Sequence, residues 1–159
     1  MTTRPTLGTL LRRLTEQLDG AVEGSYAAAG LDYRPRYTPI IRSLIEHGPA
    51  TIRALSDRTG VSHSAASQTV SQMLERDLVA LTSGTDARER IVALTDTARA
   101  MIPRLEQLWA ATETAARSLD DELGLSLPDI LARTLALLDR KPFADRLADS
   151  APPAKADIA

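Results

Sequence analysis

Leucine recurs at positions 7, 10, 11, 14 and 18, with Val22 continuing the series, at the three- and four-residue spacing of a helix with one apolar stripe. The stripe predicts a helix over residues 7–29 that Gly30 ends. "LDYRPRY" then reads as an extended connector pinned by Pro35. Thr38 as cap and Pro39 at the first position open a helix that stops at Gly48-Pro49. Residues 50–52 suit a very short strand, and Thr51 or a neighbour caps "IRALSDRT", closed by Gly60. From Ser62 a further helix runs to Arg76, with Asp77 in the helix-ending position.

The pattern then changes from a period of about 3.6 to β-rich runs. "LVALTS" and "RIVALT", separated by "GTDARE", predict a hairpin with a flexible tip. From Asp96 to Leu119 a long helix carries Ala98, Met101, Ile102, Leu105, Leu108, Trp109 and Thr112 on one side, with Pro103 as a candidate kink. "DDELGLS" breaks it, and Ser126 with Pro128 opens another helix bearing Ile130, Leu131, Leu135 and Leu138. A last short helix follows Pro142, and the Pro-rich "SAPPAKADIA" is expected to be disordered.

One helix departs from the usual polar face. Turning about 100° per residue from 62 to 76 groups Ala66, Thr69, Val70 and Met73 on one side. Ser64, Gln68, Ser71 and Glu75 stand opposite, flanked by Ser67 and Gln72. Serine and glutamine both donate and accept hydrogen bonds without carrying charge, and the edges of bases in a major groove call for that chemistry. The plainer alternative is a solvated helix with weak helix formers, and composition alone does not separate the two. Order does. A short helix, a glycine turn, this helix and a hairpin follow one another, which is the arrangement of a winged helix-turn-helix.

Composition narrows the chemistry. The 159-residue chain, 43% hydrophobic, suffices for one compact domain or for one core with dimerising extensions. It has no cysteine, which excludes disulfides and thiolate sites, and two histidines, His47 and His63, so no metal site and no cofactor are expected. No basic start precedes an apolar run, and no segment approaches the about 18 apolar residues of a membrane span. A cytoplasmic protein without membrane contact is expected. Between Tyr33 and Arg99 nine arginines face seven acids, so this middle is +2 and the remainder −4, a distribution compatible with DNA. There is no nucleophile elbow, phosphate loop or paired-histidine motif, and "DDEL" at 120–123 sits at a helix end, so an enzyme is not expected.

The stretch "GPATIRALSDRTGVSHSAASQTVSQMLERDLV", followed by "DARERIVALT", resembles the MarR-type winged-helix transcription regulators. Asp86 and Arg88 fill the Asp-x-Arg positions of the wing tip, and Leu94-Thr95 the strand end. With its flanking helices the resemblance covers most of residues 7–140. The chain differs at Asp77, where the family often has Gly, at Ala98, another frequent Gly, and at Gln68, where many relatives carry a basic residue. The resemblance implies a mainly α fold, with a winged helix-turn-helix over 31–95 between dimerisation helices at 1–30 and 96–149 and a tail at 150–159. It implies a homodimeric regulator, a repressor by expectation, on a palindromic double-stranded DNA operator. The alternative is a winged helix that contacts another protein.

On this reading Ser64, Ser67, Gln68 and Gln72 contact bases, and His63 donates to a phosphate near the helix N-terminus or is simply exposed. Arg88 reaches the minor groove, Asp86 orients a wing arginine, and Arg90 shares the work of Arg88 or binds phosphate. Arg53 contacts phosphate, as do Arg34, Arg36 and Arg58 unless Arg58 pairs with Asp57 or Glu46. The family also implies a small phenolic or carboxylate effector, with Tyr26, Tyr33, Tyr37, Arg42 and Trp109 as local candidates. Read alone, Trp109 is core, the Tyr-Arg cluster equally suits a joint between dimer and DNA-binding regions, and a ligand-free regulator is the alternative.

Overall fold

The computed structural model describes residues 4–83 and 90–150; the wing-tip residues Asp86 and Arg88 and the tail from 151 lie outside these. Helix α1, Leu7–Ala28, opens on Thr6, whose hydroxyl accepts the Thr9 amide, and ends before Gly30 at φ 74°. The connector holds Arg34 extended, as a residue before proline must be, but Pro35–Tyr37 curl into a 3-10 turn instead of staying extended. Helix α2, Thr38–His47, follows directly. Thr38 is not its cap: it has helical angles, and its side chain accepts the Tyr33 hydroxyl at 3.3 Å. A helical turn already leads into α2, so no capping side chain is used there.

Strand β1 is Ala50–Thr51, and Thr51 caps α3, Ile52–Thr59, by accepting the Ala54 amide. Gly60, at φ 68°, turns the chain into α4, His63–Glu75. Ser62 caps α4 through the Ala65 amide. Strands β2, Val79–Ser83, and β3, Arg90–Leu94, pair antiparallel, and β1 adds to the other edge of β3, giving the order β1-β3-β2. Val79 faces Leu94 at the end of this pairing away from the hairpin tip, and Ala50 faces Val92.

Helix α5, Asp96–Leu123, begins under a Thr95 cap and contains Pro103. It outlasts its expected end at Leu119. The acids of "DDEL" remain helical until Gly124 at φ 67°, and Asp120 uses its carboxylate to accept the Leu127 amide at 2.9 Å. An acid that caps the next helix stabilises the extra turn instead of breaking it.

The chain forms two compact units, residues 1–112 and 113–159. In the first, α1, α2, α3, α4, the sheet and the first half of α5 share one core. Tyr26, Tyr33, Tyr37, Ile40, Ile41, Leu55, Val70, Met73, Val92 and Leu105 are its innermost members. The second unit contains α6, Leu127–Arg140, capped by Ser126, and α7, Phe143–Ser150. Arg146 ties the two by donating to the carbonyls of Leu137 and Lys141, and Lys141 pairs with Asp149. Neither α6 nor α7 buries a residue within the chain.

Candidate nucleic-acid interface

Helix α4 divides as its sequence predicts. Ala66, Thr69, Val70 and Met73 are buried, and Ser64, Gln68, Ser71 and Glu75 are exposed. The buried side packs on α3 across the turn at Gly60, whose left-handed backbone glycine adopts without a Cβ clash. Ser56 secures that turn by donating to the Val61 carbonyl at 2.7 Å. The α3–turn–α4 unit is therefore held from inside, and its outer side is free to meet a partner.

The expected contact residues fall into three groups. His63, Ser64 and Gln68 are exposed on the first two turns of α4, and Arg53 is exposed on the first turn of α3. Ser64 Oγ lies 3.3 Å from Ser62 Oγ, so its hydroxyl stands beside the helix cap, where backbone N–H groups favour an anion. Ser67 and Gln72 form the second group, half-buried on the flanks. Ser67 accepts the Ser71 hydroxyl on its carbonyl, and the Gln72 side-chain oxygen is enclosed with, among the described residues, no group bonded to it. Gln72 thus directs part of its amide inward, away from the open face. Arg90, the third, is exposed at the first residue of β3, opposite Ser83 at the base of the wing.

Among the other arginines, Arg34 is not a free phosphate ligand. Its Nη1 donates to Glu23 of α1 at 2.7 Å. Arg58 is exposed and, among the described residues, pairs with neither Asp57 nor Glu46. Arg76, not singled out from the sequence, bonds Asp32 from the end of α4. The relevant signal lies 44 residues away in the chain, beyond the reach of any local pattern.

The five effector candidates do come together, but as packed rings. Tyr26 and Tyr33 meet edge-to-face at 4.8 Å and Tyr33 and Tyr37 at 5.7 Å, and all three are at most 2% exposed. Trp109 Nε1 donates to Tyr26 Oη at 3.2 Å, and the Arg42 guanidinium lies over the indole at 4.7 Å. Burial pushes the Tyr33 phenol well above its ordinary range. Arg42 is the exposed member of this group. A separate hollow in the first unit is lined by Leu44, Ile45, Pro49, Leu94, Arg99 and Ile102. Among the described residues no acid–histidine group is arranged to hold a metal, and no helix is long and apolar enough to cross a membrane.

Two helices joined by a glycine turn, the second with serine and glutamine on the outer face of its first turns, and a β-hairpin behind them define a winged helix-turn-helix protein. Residues 30–89 match the model of the MarR family. The winged helix of this chain is of the MarR type, the architecture of a family of DNA-binding transcriptional regulators. Solved structures agree. A MarR family transcriptional regulator from Silicibacter pomeroyi is 28% identical, covers 83% of this chain and 94% of its own, and has a TM-score of 0.61. The transcriptional regulator MOSR of M. tuberculosis, in complex with DNA, is 22% identical, with 89% and 99% covered and a TM-score of 0.68. BpsR of Bordetella bronchiseptica, whose DNA binding is regulated by 6-hydroxynicotinic acid, is 19% identical, with 86% and 94% covered and a TM-score of 0.56. No curated protein sequence matches this chain.

Proposed function

We propose that this protein is a cytoplasmic, homodimeric repressor that reads an imperfect palindrome with α4. The observation that carries the reading is the exposed Ser64/Gln68 face at the capped N-terminus of α4, polar and uncharged where a protein-binding winged helix needs apolar contacts. Gln68 binds an adenine edge, Ser64 and Ser67 make shorter contacts, and His63 and Arg53 meet phosphates. Arg88, aided by Asp86, enters the minor groove, and Arg90 anchors the base of the wing. A second copy covers the exposed leucines of α1 and α6, since a soluble monomer rarely leaves so much apolar surface open. Two-fold symmetry then sets the two copies of α4 about 34–36 Å apart, one turn of DNA.

A small aromatic acid as effector belongs to the same proposal. The regulation of BpsR by such an acid supports it, and the Arg42–Trp109 edge of the ring cluster is the side open to a carboxylate.

The experiment is a titration against duplex DNA from upstream of the protein's own gene and against a scrambled duplex, at two salt concentrations. Preferred binding to the first that survives near-physiological salt is expected. Gln68→Ala and Arg88→Ala should each weaken it by about 1–3 kcal/mol, roughly five- to 150-fold. Equal, salt-sensitive binding to every duplex, including those enriched from a random pool, would overturn the reading in favour of a protein partner.

A further inference from the structure

Residues 31–37 are held from two sides. Toward α1, the Leu31 amide donates to the Tyr26 carbonyl at 2.9 Å, Arg34 pairs with Glu23 at 2.7 Å, and the Tyr33 ring meets Tyr26. Toward α4, Asp32 Oδ1 accepts Arg76 Nε at 3.4 Å, and the Arg76 guanidinium lies 6.0 Å from the Tyr37 ring centroid. Arg76 also closes the last turn of α4 by donating Nη1 to the Gln72 carbonyl. Tyr33 against Tyr37 links the two sides, and both α1 and α4 pack against the 35–37 turn.

We infer that this segment is the joint through which α1 sets the seating of α4, and that Arg76 is a positioning residue for the DNA-reading face, acting through Asp32 and Tyr37. The inference rests on the DNA-reading proposal above. Arg76 follows the 13-residue α4, so it stands about 20 Å along the axis from the His63–Ser64 end that enters the groove. Its side chain is only 25% exposed and already engages a carboxylate, a ring and a carbonyl. A phosphate ligand keeps its guanidinium free; this one is committed inward. The seam it closes is polar as well as aromatic, for among the described residues no group bonds Tyr37 Oη or the Gln72 side-chain oxygen. Such a seam has less to lose on shifting than the apolar contact between α3 and α4.

Asp32 makes the test decisive, because the two possible roles of Arg76 predict opposite signs. If Arg76 touched DNA, Asp32→Asn would remove a competing acid and strengthen binding to every duplex. If it positions α4, Asp32→Asn should weaken the preferred duplex about threefold and leave the scrambled duplex and the salt dependence unchanged. Arg76→Gln should weaken the preferred duplex about tenfold, and the double variant no more than that. Strengthened binding in Asp32→Asn, or no change in either single variant, overturns the inference. A second arm needs no DNA. The chain has no cysteine, so nitroxides on Ala28→Cys (α1) and Glu75→Cys (α4), diluted with unlabelled protein, report the distance between the two helices. The distribution should be narrow in the parent protein and broader in Asp32→Asn and Arg76→Gln; an unchanged distribution overturns the joint. Should the parent protein prefer no duplex, the DNA reading fails by itself, and the nitroxide arm still decides the joint.

Discussion

Asp77 holds φ 53° immediately after α4, the one non-glycine in the left-handed region among the described residues. Its carboxylate accepts the Thr97 hydroxyl at 2.6 Å, and its carbonyl accepts the Thr95 hydroxyl at 2.5 Å. The strain of a side chain in that region is thus offset by bonds that fasten the end of α4 to the start of α5. Asp77→Gly should relax the backbone but lose the Thr97 bond, for a net change within about 1 kcal/mol, whereas Asp77→Ala should lose the bond and keep the strain, costing about 1–2 kcal/mol. Urea unfolding of the pair checks both. Tyr33 supplies a pH dependence. Burial raises its folded-state pKa, so the unfolded chain loses this proton first, near pH 10. Its contribution to stability is complete below about pH 10 and falls by about 1.4 kcal/mol per pH unit above it. Tyr33→Phe should flatten that alkaline limb, and unfolding midpoints measured from pH 9 to 11 would reveal a failure to do so.

At the scale of elements, the α3–turn–α4 unit could be read before any coordinates because its determinants are local. Thr51, Gly60, Ser62 and the 66/69/70/73 stripe each act within a few residues of where they stand. The same holds for the hairpin and for the Ser126 start of α6. What escaped is long-range or competitive. Thr38 looked like a cap, but a preceding 3-10 turn removed the need for one. "DDEL" looked like a break, but Asp120 found the Leu127 amide seven residues on. Arg34 looked free until Glu23 was brought to it by the fold. Gly60→Ala tests the local logic directly. A Cβ there meets nothing within 4 Å, so only the positive φ opposes it, and the cost should be about 1 kcal/mol with the DNA preference kept. Leu55→Ala, in the fully enclosed centre of α3, should cost about 2–5 kcal/mol by the same urea measurement.

At the scale of the molecule, the two units differ in how their apolar side chains are used. In the first, the rings and aliphatics around the winged helix close over one another, and the exposed leucines are those of α1. In the second, Ile130, Leu131, Leu135, Leu137, Phe143 and Leu147 remain exposed. Under the proposed homodimer, replacing Leu131 and Leu135 together by Glu should halve the mass seen in sedimentation. Affinity for a full palindrome should fall about a hundredfold while that for a half-site is unchanged, since only the linkage of two readers is lost. A double variant that keeps the parent mass would point to a different surface.

Trp109 is the chain's single tryptophan, fixed between the Tyr26 hydroxyl and the Arg42 guanidinium in the same ring stack that continues to Tyr37. The indole is therefore a built-in optical probe at the far end of the joint from α4. Its emission needs no label, comes from one site per chain, and answers to both the hydrogen bond at its Nε1 and the cation over its ring. An aromatic acid arriving at Arg42 and a duplex arriving at α4 would perturb this signal from opposite ends. Adding them in either order in a single cuvette would measure whether the two events share a free energy.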